Sequence, residues 1–519
     1  MPFLVDPFMT HASLIPPRIS HWIRCVVLVS LWCAHNSLLA RVCHADDQVL
    51  AAPADLPTVI ARCEGAVVAL ARVVATPAAP LPPRYDPFEA LGKLDAGPIP
   101  DGLGTGVIVQ IEDERRLLIL TNQHLITSQL EPQDALEEHL FVRTVQGHTL
   151  TAKVRAYDPR SDLAVLVAEL KDLTAADLNI QPLPFGTAET AAKGSFVIVL
   201  GNPLGLARDG SASVQAGIIS NRQRAPAPLP GQESIQSPAT IHQLGTLFQL
   251  DLRLSPGMSG AAVCNRQGEL IGLTTILPAL QGDPTAAAFA VPMTPEIRRI
   301  VATLLRGEEV EYGFLGIDPE DSDPLDLAAA RPEIIQARCA AVARVSRRSP
   351  AELAGLLSGD LIYQIDREVI RSRTDLVRVV GLLGPGQAAQ LHVFRPRTRE
   401  RLVLTAMLAK WPLYDDRRLI ATRPTSVPWA GLSLDYATGR VRYLPDSFLA
   451  TFPQGVMITQ VLRDSPAAES GLQPGVLITR VAGEPVRSPS EFLQRVQVLE
   501  GSVELETSMG NRFTVQPEP

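Results

Sequence analysis

Short apolar runs separated by turn residues dominate the chain from Gly104 to Pro292. Runs of this length without an intervening helical period predict β-strands, and many of them in succession predict an all-β sandwich or barrel. The runs cover residues 107–109, 117–120, 163–167, 196–200, 217–219, 247–250, 270–273 and 288–291.

A helix is predicted to close this β-rich unit. Thr294 is placed as its N-cap, Pro295 occupies the first helical position, and Gly307 stands where a C-terminal stop belongs. The apolar residues at 297, 300, 301 and 304 share one face of this helix. We therefore expect a domain over 104–308.

An internal repeat follows residue 308. Ser349-Pro-Ala recurs as Ser465-Pro-Ala, and each copy continues into a glycine and then an apolar strand ending near Ile365 or Val481. Such self-similarity predicts two copies of one module. We assign them to residues 309–412 and 429–519, with the Arg- and Pro-containing segment 413–428 as a linker.

The N-terminal residues 1–45 resemble a signal peptide. Arg18 and Arg24 precede an apolar run over 25–34, and small residues around Ala45 offer a cleavage site before Asp46. This run is too short to span a bilayer. We expect an exported protein, periplasmic or otherwise extracytoplasmic. An uncleaved signal that tethers it to the membrane and a buried N-terminal helix are the alternatives.

Residues 46–103 are rich in Ala and Pro and predict an N-terminal strand followed by a Pro-rich loop attached to the first domain. With 519 residues, of which 46% are hydrophobic and 20% charged, the chain is long enough for about three or four folded domains. Its net charge is −8 and it has no long basic run, which argues against a nucleic-acid partner.

The cysteines point neither to a disulfide framework nor to a metal site. Cleavage before Asp46 would remove three of the six, and the remaining Cys63, Cys264 and Cys339 are far apart in the sequence. The sequence has no CxxC or HExxH motif and no close His/Cys cluster. We expect no metal and no cofactor.

Three polar residues at the ends of predicted strands suggest nucleophilic catalysis. His124 follows one strand, Asp162 precedes another, and Ser259 lies in a glycine-flanked turn between apolar strands. A serine hydroxyl needs an imidazole to take its proton and a carboxylate to orient that imidazole. The predicted catalytic residues are therefore His124, Asp162 and Ser259. The backbone N–H groups of Gly257 and Ser259 are predicted to form the oxyanion hole.

These residues lie in motifs that resemble those of the HtrA/Deg serine endopeptidases. The motifs are Thr121-Asn-Gln-His124, Ser161-Asp162-Leu-Ala-Val-Leu166, Leu200-Gly-Asn-Pro-Leu-Gly205 and Ser255-Pro-Gly-Met-Ser-Gly260. The resemblance implies a mainly β fold with a trypsin-like double β-barrel. It also implies ATP-independent cleavage of misfolded exported proteins by a homo-oligomer of trimers or their multiples.

The repeated module resembles a PDZ domain, an α+β fold with a partly open barrel. The resemblance implies that the first copy binds peptide C-termini through the loop of Phe314, Leu315, Gly316 and Ile317. An ordinary core strand at these positions is the alternative. The match of the second copy is looser, because Val476 stands where the first copy has Asp360.

The nucleophile motif departs from the family pattern, since Met258 precedes the serine. Its apolar side chain is expected to alter the cleft. Leu254 and Leu273 are assigned to the S1 pocket, which predicts an apolar P1 residue. If Arg253 points into that pocket instead, acidic P1 residues become acceptable.

Other functions compete with endopeptidase activity. An α/β-hydrolase is excluded because that fold places its acid and histidine after the nucleophile, and only His392 follows Ser259. A chaperone or scaffold that binds unfolded chains with a resting protease domain remains open. A membrane-tethered protease that makes one regulatory cut is a third option.

Overall fold

The computed structural model describes residues 56–75, 81–91, 97–126, 137–203, 208–225, 240–276, 288–323, 336–413, 420–423, 429–444 and 451–517. The predicted signal peptide over 1–45 lies outside these residues. In the described part of the chain, no helix is both long enough and apolar enough to cross a membrane.

Six antiparallel strands form the first barrel. They are β1 (Val67–Ala75), β2 (Gly102–Glu112), β3 (Arg116–Asn122), β4 (Glu137–Arg143), β5 (Thr149–Asp158) and β6 (Leu163–Glu169). Their order is β5-β4-β1-β2-β3-β6, and pairing of β5 with β6 closes the ring. Closure leaves no open sheet edge among these six strands.

The second barrel also has six strands and is closed. They are β7 (Phe196–Gly201), β8 (Ser213–Arg224), β9 (Leu247–Leu250), β10 (Ala262–Cys264), β11 (Leu270–Thr275) and β12 (Ala288–Pro292). Alternate side chains divide between two apolar clusters, one confined to the second barrel and one shared with the first. The predicted double barrel is confirmed.

Three helices belong to the barrels: α1 (Leu56–Glu64), α2 (Pro87–Ala90) and α3 (Pro295–Arg306). Helix α3 begins and ends as the sequence predicts, with the Thr294 side chain accepting from the Ile297 N–H and Gly307 in the left-handed region. Helix α1 was not predicted. It buries only Val59 and Cys63, and two buried residues four positions apart do not make a helical pattern that can be recognised in the sequence.

The first module is a sheet flanked by helices. It contains β13 (Gly313–Phe314), β14 (Ile317–Asp321), β15 (Ala340–Val345), α4 (Pro350–Leu353), β16 (Leu361–Ile365), β17 (Glu368–Val369), α5 (Arg373–Leu383), β18 (Ala388–Arg395), β19 (Glu400–Met407) and β20 (Ala409–Lys410). Its main sheet has the order β14-β15-β16-β18-β19, so β14 is an edge strand among the described strands.

The second module repeats this arrangement. After β21 (Ile420–Ala421) it contains β22 (Leu432–Tyr436), β23 (Val456–Val461), α6 (Pro466–Glu469), β24 (Leu477–Val481), β25 (Glu484–Pro485), α7 (Pro489–Val496), β26 (Val503–Thr507) and β27 (Arg512–Val515). Ser349 and Ser465 cap the equivalent helices α4 and α6. The predicted linker is not simply a spacer, because β21 pairs with β5 of the first barrel.

Buried charges join the two modules to the end of the barrel domain. The Nζ of Lys410, which is almost fully buried, lies 2.9 Å from Glu309, 3.1 Å from Glu311 and 2.9 Å from Asp435. Arg440 pairs with Glu309 at 2.6 Å and with Asp435 at 2.9 Å. Three carboxylates thus share two cations where the modules meet.

Candidate active site

His124 stands just beyond the end of β3, in a short 3₁₀ turn over Gln123–Leu125. The N–H of Gln123 and the side-chain amide of Asn122 both donate to the carbonyl of Asp162, at 3.0 and 3.1 Å. Strands β3 and β6 pair throughout, with Asn122 opposite Leu163. The sheet register therefore places the histidine beside the aspartate.

Asp162 lies in the turn that enters β6, with φ 53°, a left-handed conformation uncommon for a non-glycine residue. Its carboxylate accepts from the His124 backbone N–H at 3.1 Å and lies 2.9 Å from His124 Nδ1. The Thr275 hydroxyl donates to the same carboxylate at 2.9 Å. These donors fix the plane of the carboxylate and, through it, the imidazole.

Ser259 completes the arrangement from the second barrel. Its Oγ lies 3.1 Å from His124 Nε2, and the Ile276 N–H donates to it at 3.2 Å. Nε2 can accept the hydroxyl proton only when Nδ1 carries the hydrogen that Asp162 accepts. The structure brings together the three residues predicted for catalysis, at hydrogen-bonding distances and across both barrels.

The electrostatics of the site follow from this contact. Burial alone would lower the pKa of His124, but the charge of Asp162 and its hydrogen bond outweigh burial and raise it above the ordinary value. Burial would raise the pKa of Asp162, yet the interactions with His124 hold it below the ordinary value. An ionised aspartate therefore faces an imidazole made more basic.

The turn before Ser259 is shaped by Pro256 and Gly257. The Met258 N–H donates to the Ser255 carbonyl at 3.0 Å, and Gly257 has φ 91°. Proline at the second position and a positive φ at the third are typical of a type II turn, which glycine adopts without strain. Among the described residues, the N–H groups of Gly257 and Ser259 have no acceptor. The two donors predicted for the oxyanion hole are thus free for a ligand.

Thr105 anchors this turn to the first barrel, a role that the sequence analysis missed. Its hydroxyl donates to the Gly257 carbonyl at 2.9 Å and accepts from the Asn202 N–H at 2.8 Å. Its own N–H donates to the Ser259 carbonyl at 2.9 Å. The alternating glycines at 102, 104 and 106 were the available signal, because they mark close packing along β2.

The two residues assigned to the S1 pocket are separated. Leu254 is half-buried against the cluster confined to the second barrel, whereas Leu273 is fully buried in the cluster shared between the barrels. Because the two side chains pack in different clusters, the structure does not bring them together in one pocket. Arg253 is exposed, so it does not fill a buried pocket.

Contrary to the expectation that it alters the cleft, the Met258 side chain lies in the protein core. Its side chain is fully buried in the second barrel. A Cβ on Gly201 would come within 3.0 Å of its sulfur, so the glycine leaves the space that the methionine occupies. The methionine side chain therefore fills core volume beneath the turn that carries Ser259.

His242 supports the aspartate turn from behind and was also missed. It is fully buried, with Nε2 2.9 Å from the Ser161 carbonyl and Nδ1 2.7 Å from the Thr246 hydroxyl. Burial lowers the pKa of His242 despite the nearby Asp162 charge. A neutral ring can donate from Nε2 and accept at Nδ1, which matches both contacts.

The segment entering the first module touches the same turn. The Tyr312 hydroxyl donates to Asp158 at 2.5 Å, and the Arg160 guanidinium stacks over the tyrosine ring at 4.2 Å. Arg160 also donates to the Val310 carbonyl at 2.6 Å. Asp158 and Asp162 bound one turn, so the catalytic side of the barrel is packed directly on this segment.

In the predicted peptide-binding loop, some side chains pack within the protein, whereas two backbone N–H groups remain without an acceptor among the described residues. Phe314 pairs within β13 and stacks on Phe452 of the second module, with ring centroids 6.0 Å apart. Leu315 is buried, and Gly316 at φ 80° leaves no room for a Cβ beside Ser349. Ile317 begins the edge strand β14. No acceptor for the Leu315 and Gly316 N–H groups lies among the described residues.

The equivalent loop of the second module is more closed. Gly431 has φ 84° and, like Gly316, packs against its helix-capping serine, Ser465. The Leu432 N–H, however, donates back to the Trp429 carbonyl at 2.8 Å, and the Trp429 ring packs edge-on against Phe492 of α7. The N–H of Leu432, which is equivalent to Ile317, is therefore used within the module. The N–H groups of Ala430 and Gly431, equivalent to those of Leu315 and Gly316, have no acceptor among the described residues.

Two closed barrels with a Ser–His–Asp contact between them, followed by two small modules, define a trypsin-like serine endopeptidase with PDZ domains. Comparison with known families agrees: the trypsin-like peptidase domain matches residues 104–273, and PDZ domains match 313–405 and 457–507.

Curated relatives match the chain over most of its length. A probable periplasmic serine endoprotease, DegP-like, from Hahella chejuensis is 28% identical over 419 residues, covering 80% of this chain and 78% of that protein. A protein of the same description from Pseudomonas fulva is 29% identical over 399 residues, which cover 76% of this chain and 74% of that protein. The solved HtrA-type protease AlgW with decapeptide is 24% identical and covers 69% of this chain and 99% of its own, with a TM-score of 0.45. Over most of its length, the chain is therefore similar to serine endoproteases named DegP-like.

Proposed function

We propose that this protein is an ATP-independent endopeptidase of exported-protein quality control that cleaves misfolded chains with Ser259, His124 and Asp162. The observation that carries the proposal is the continuous contact from Ser259 Oγ through the imidazole to the Asp162 carboxylate. It gives each residue the position that its role in acyl transfer requires.

In the first half of the reaction, His124 Nε2 takes the proton of Ser259 as Oγ bonds to the scissile carbonyl carbon. The imidazolium then gives that proton to the leaving amine nitrogen as the C–N bond breaks, leaving an acyl-enzyme. Water repeats the sequence and frees Ser259. Asp162 stays ionised throughout and holds the Nδ1–H tautomer.

The N–H groups of Gly257 and Ser259 serve as oxyanion donors in this proposal. Negative charge develops on the carbonyl oxygen when Oγ adds, and prearranged donors stabilise that charge more than the neutral substrate. Thr105 supports them by holding the Gly257 and Ser259 carbonyls on the other side of the turn.

The PDZ domains supply substrate binding in this proposal. A peptide C-terminus would add a strand to the edge of β14 while its carboxylate meets the N–H groups of Leu315 and Gly316. The names of the relatives place them in the periplasm, and we assign this chain, as a homo-oligomer, to the same compartment.

Casein digestion by the purified protein tests the proposal. Ser259→Ala should abolish cleavage, while Ser255→Ala in the same turn, whose hydroxyl does not contact His124, should retain it. Casein cleavage that persists in Ser259→Ala contradicts the proposed nucleophile. If the wild-type protein suppresses aggregation of an unfolded chain but never cleaves it, the chaperone or scaffold function replaces the proposal.

A further inference from the structure

Two cysteines that are far apart in the sequence meet in the barrel domain. Cys63 lies in the last turn of α1, and Cys264 is the last residue of β10. Both are fully buried in the same apolar cluster, and an interaction with the Cys264 side chain lowers the pKa of Cys63. Their separation along the chain made them look unrelated, but the fold places them in one part of the core.

The hairpin after β10 holds α1 in this position. The Cys63 thiol lies 3.6 Å from the Gly268 carbonyl, and the neighbouring Arg62 guanidinium donates to the Gln267 carbonyl. A Cβ on Gly268 would come within 3.0 Å of the Cys63 sulfur, so only glycine allows this close approach. Cys63 is thus fixed against the hairpin that begins next to Cys264.

We propose that Cys63 and Cys264 form a disulfide bond that fastens α1 to the second barrel. The inference rests on the proposed export of the protein, because disulfides persist in oxidising compartments such as the periplasm. It revises the expectation that the cysteines are unconnected.

The oxidant is a disulfide, small or protein-borne, acting by thiol–disulfide exchange. The thiolate of one cysteine attacks a sulfur of the oxidant, forming a mixed disulfide and releasing one thiol. The other cysteine, as its thiolate, attacks the mixed disulfide and releases the second thiol. The pair loses two protons and two electrons, and the oxidant is reduced to two thiols. Because both sulfurs are buried in the folded protein, exchange precedes the docking of α1.

The bond would act on the same part of the barrel as the nucleophile. Only Gly260 and Ala261 separate Ser259 from β10, the strand that Cys264 ends. A covalent tie between this strand and α1 closes a loop that spans most of the barrel domain, and such long loops gain the largest restriction of the unfolded chain.

Differential thiol labelling of the exported protein tests the proposal, with Cys339 as an internal control. Cys339 is fully buried in the first PDZ domain, in a different apolar cluster from the one that holds Cys63 and Cys264. The protein is denatured without reductant and alkylated with iodoacetamide, then reduced and alkylated with N-ethylmaleimide, and its peptides are mapped by mass spectrometry. Cys63 and Cys264 should carry the second label and Cys339 the first. The first label on all three, or a disulfide involving Cys339, overturns the proposal.

Thermal unfolding with and without dithiothreitol gives a second readout. Reduction should lower the melting temperature of the barrel domain by roughly 10 °C, while a Cys63→Ala/Cys264→Ala variant should show no dithiothreitol-dependent shift. If the variant fails to fold, labelling of the wild-type chain still decides the matter. Ser259→Ala should give the same labelling pattern, so failure of this proposal is distinguishable from failure of the proposed protease function.

Discussion

In the proposed mechanism, activity should depend on pH through His124, because only its neutral form can accept the Ser259 proton. Its pKa is raised by Asp162 above the ordinary value of 6.5. As the pH falls through that raised pKa the imidazole gains a proton, so kcat/KM for a peptide substrate should fall with an apparent pKa above 6.5. A pH profile of kcat/KM checks this. If kcat/KM instead falls to half its maximum at a pH below 6.5, Asp162 does not stabilise the imidazolium.

Thr105 gives a second prediction at this scale. Thr105→Val keeps the shape but leaves the Gly257 carbonyl and the Asn202 N–H unpaired in a buried site, a loss of roughly 1–3 kcal/mol for each group. We expect a fall in kcat of about ten- to a hundredfold, whereas Thr105→Ser, which keeps the hydroxyl, should stay within a few-fold. Equal kcat values for the two variants would show that the hydroxyl does not hold the turn.

Single residues differ in how far the sequence reveals them. His124, Asp162 and Ser259 could be predicted because each lies at a strand end and their order is that of one known chemistry. Thr105 and His242 could not, since their partners are backbone carbonyls contributed by distant segments. The assignment of Leu254 and Leu273 to one pocket remains a prediction, and the strand pattern alone did not show that they pack in different clusters.

At the scale of elements, the proposed site for peptide C-termini consists of the edge strand β14 and the loop before it in the first PDZ domain. Free peptides ending in an apolar residue should bind the full chain at micromolar levels. Amidation of the C-terminus should cost roughly 1.5–3 kcal/mol, because it removes the charge-assisted bonds to backbone N–H groups. Calorimetry on Ser259→Ala protein measures both affinities. Equal affinity for the two peptides would leave the domain a role in assembly.

The structure also shows that Gly316 is an unsuitable position for a variant in that experiment. Gly316→Val is unsuitable as a test of peptide approach, since a Cβ there would lie 2.4 Å from the Cβ of Ser349 and the backbone has φ 80°. Such a substitution disturbs the domain itself. The sequence identified this glycine through the family motif, but only the structure shows that its neighbour is the cap of α4.

Most elements could be predicted from apolar runs and caps, as α3 shows with its threonine cap, proline and terminal glycine. Helix α1 and strand β21 could not. Helix α1 has a single buried pair, and β21 has two residues that form a strand only because β5 offers them a partner. The local sequence pattern predicts helices and strands that bury a full face. Short elements such as α1 and β21 form because of their tertiary contacts, which the local pattern does not contain.

At the scale of the whole molecule, the buried charges around Lys410 fix how the PDZ domains meet the barrels. Lys410→Met would leave Glu309, Glu311 and Asp435 buried with Arg440 as the remaining cation. The free energy of unfolding should fall by about 3–5 kcal/mol, the usual cost of removing one partner of a buried pair. Urea unfolding measures it, and Lys153→Met at an exposed site should change stability by less than about 0.5 kcal/mol.

The same cluster makes the assembly of domains sensitive to acid. Burial favours the neutral form of Glu309, but Lys410 and Arg440 outweigh it and lower the pKa of Glu309 to about 2. A carboxylate with a pKa below its unfolded value of 4.5 stabilises the folded chain above pH 4.5, and this contribution is lost as the pH falls towards 2. Lys410→Met should show less of this acid dependence in the same unfolding experiment. If the free energy of unfolding of Lys410→Met depends on pH as it does in the wild-type protein, Lys410 does not cause the acid sensitivity.

The central claim is that the contact between the two barrels makes Ser259 a nucleophile. A fluorophosphonate reacts with an activated serine by forming a bond between Oγ and phosphorus and releasing fluoride, and peptide mapping by mass spectrometry identifies the modified residue. We predict modification at Ser259, with loss of casein cleavage in proportion to labelling and a greatly reduced labelling rate in His124→Ala. Modification of a different serine with loss of cleavage, or continued cleavage by fully labelled protein, would contradict the account.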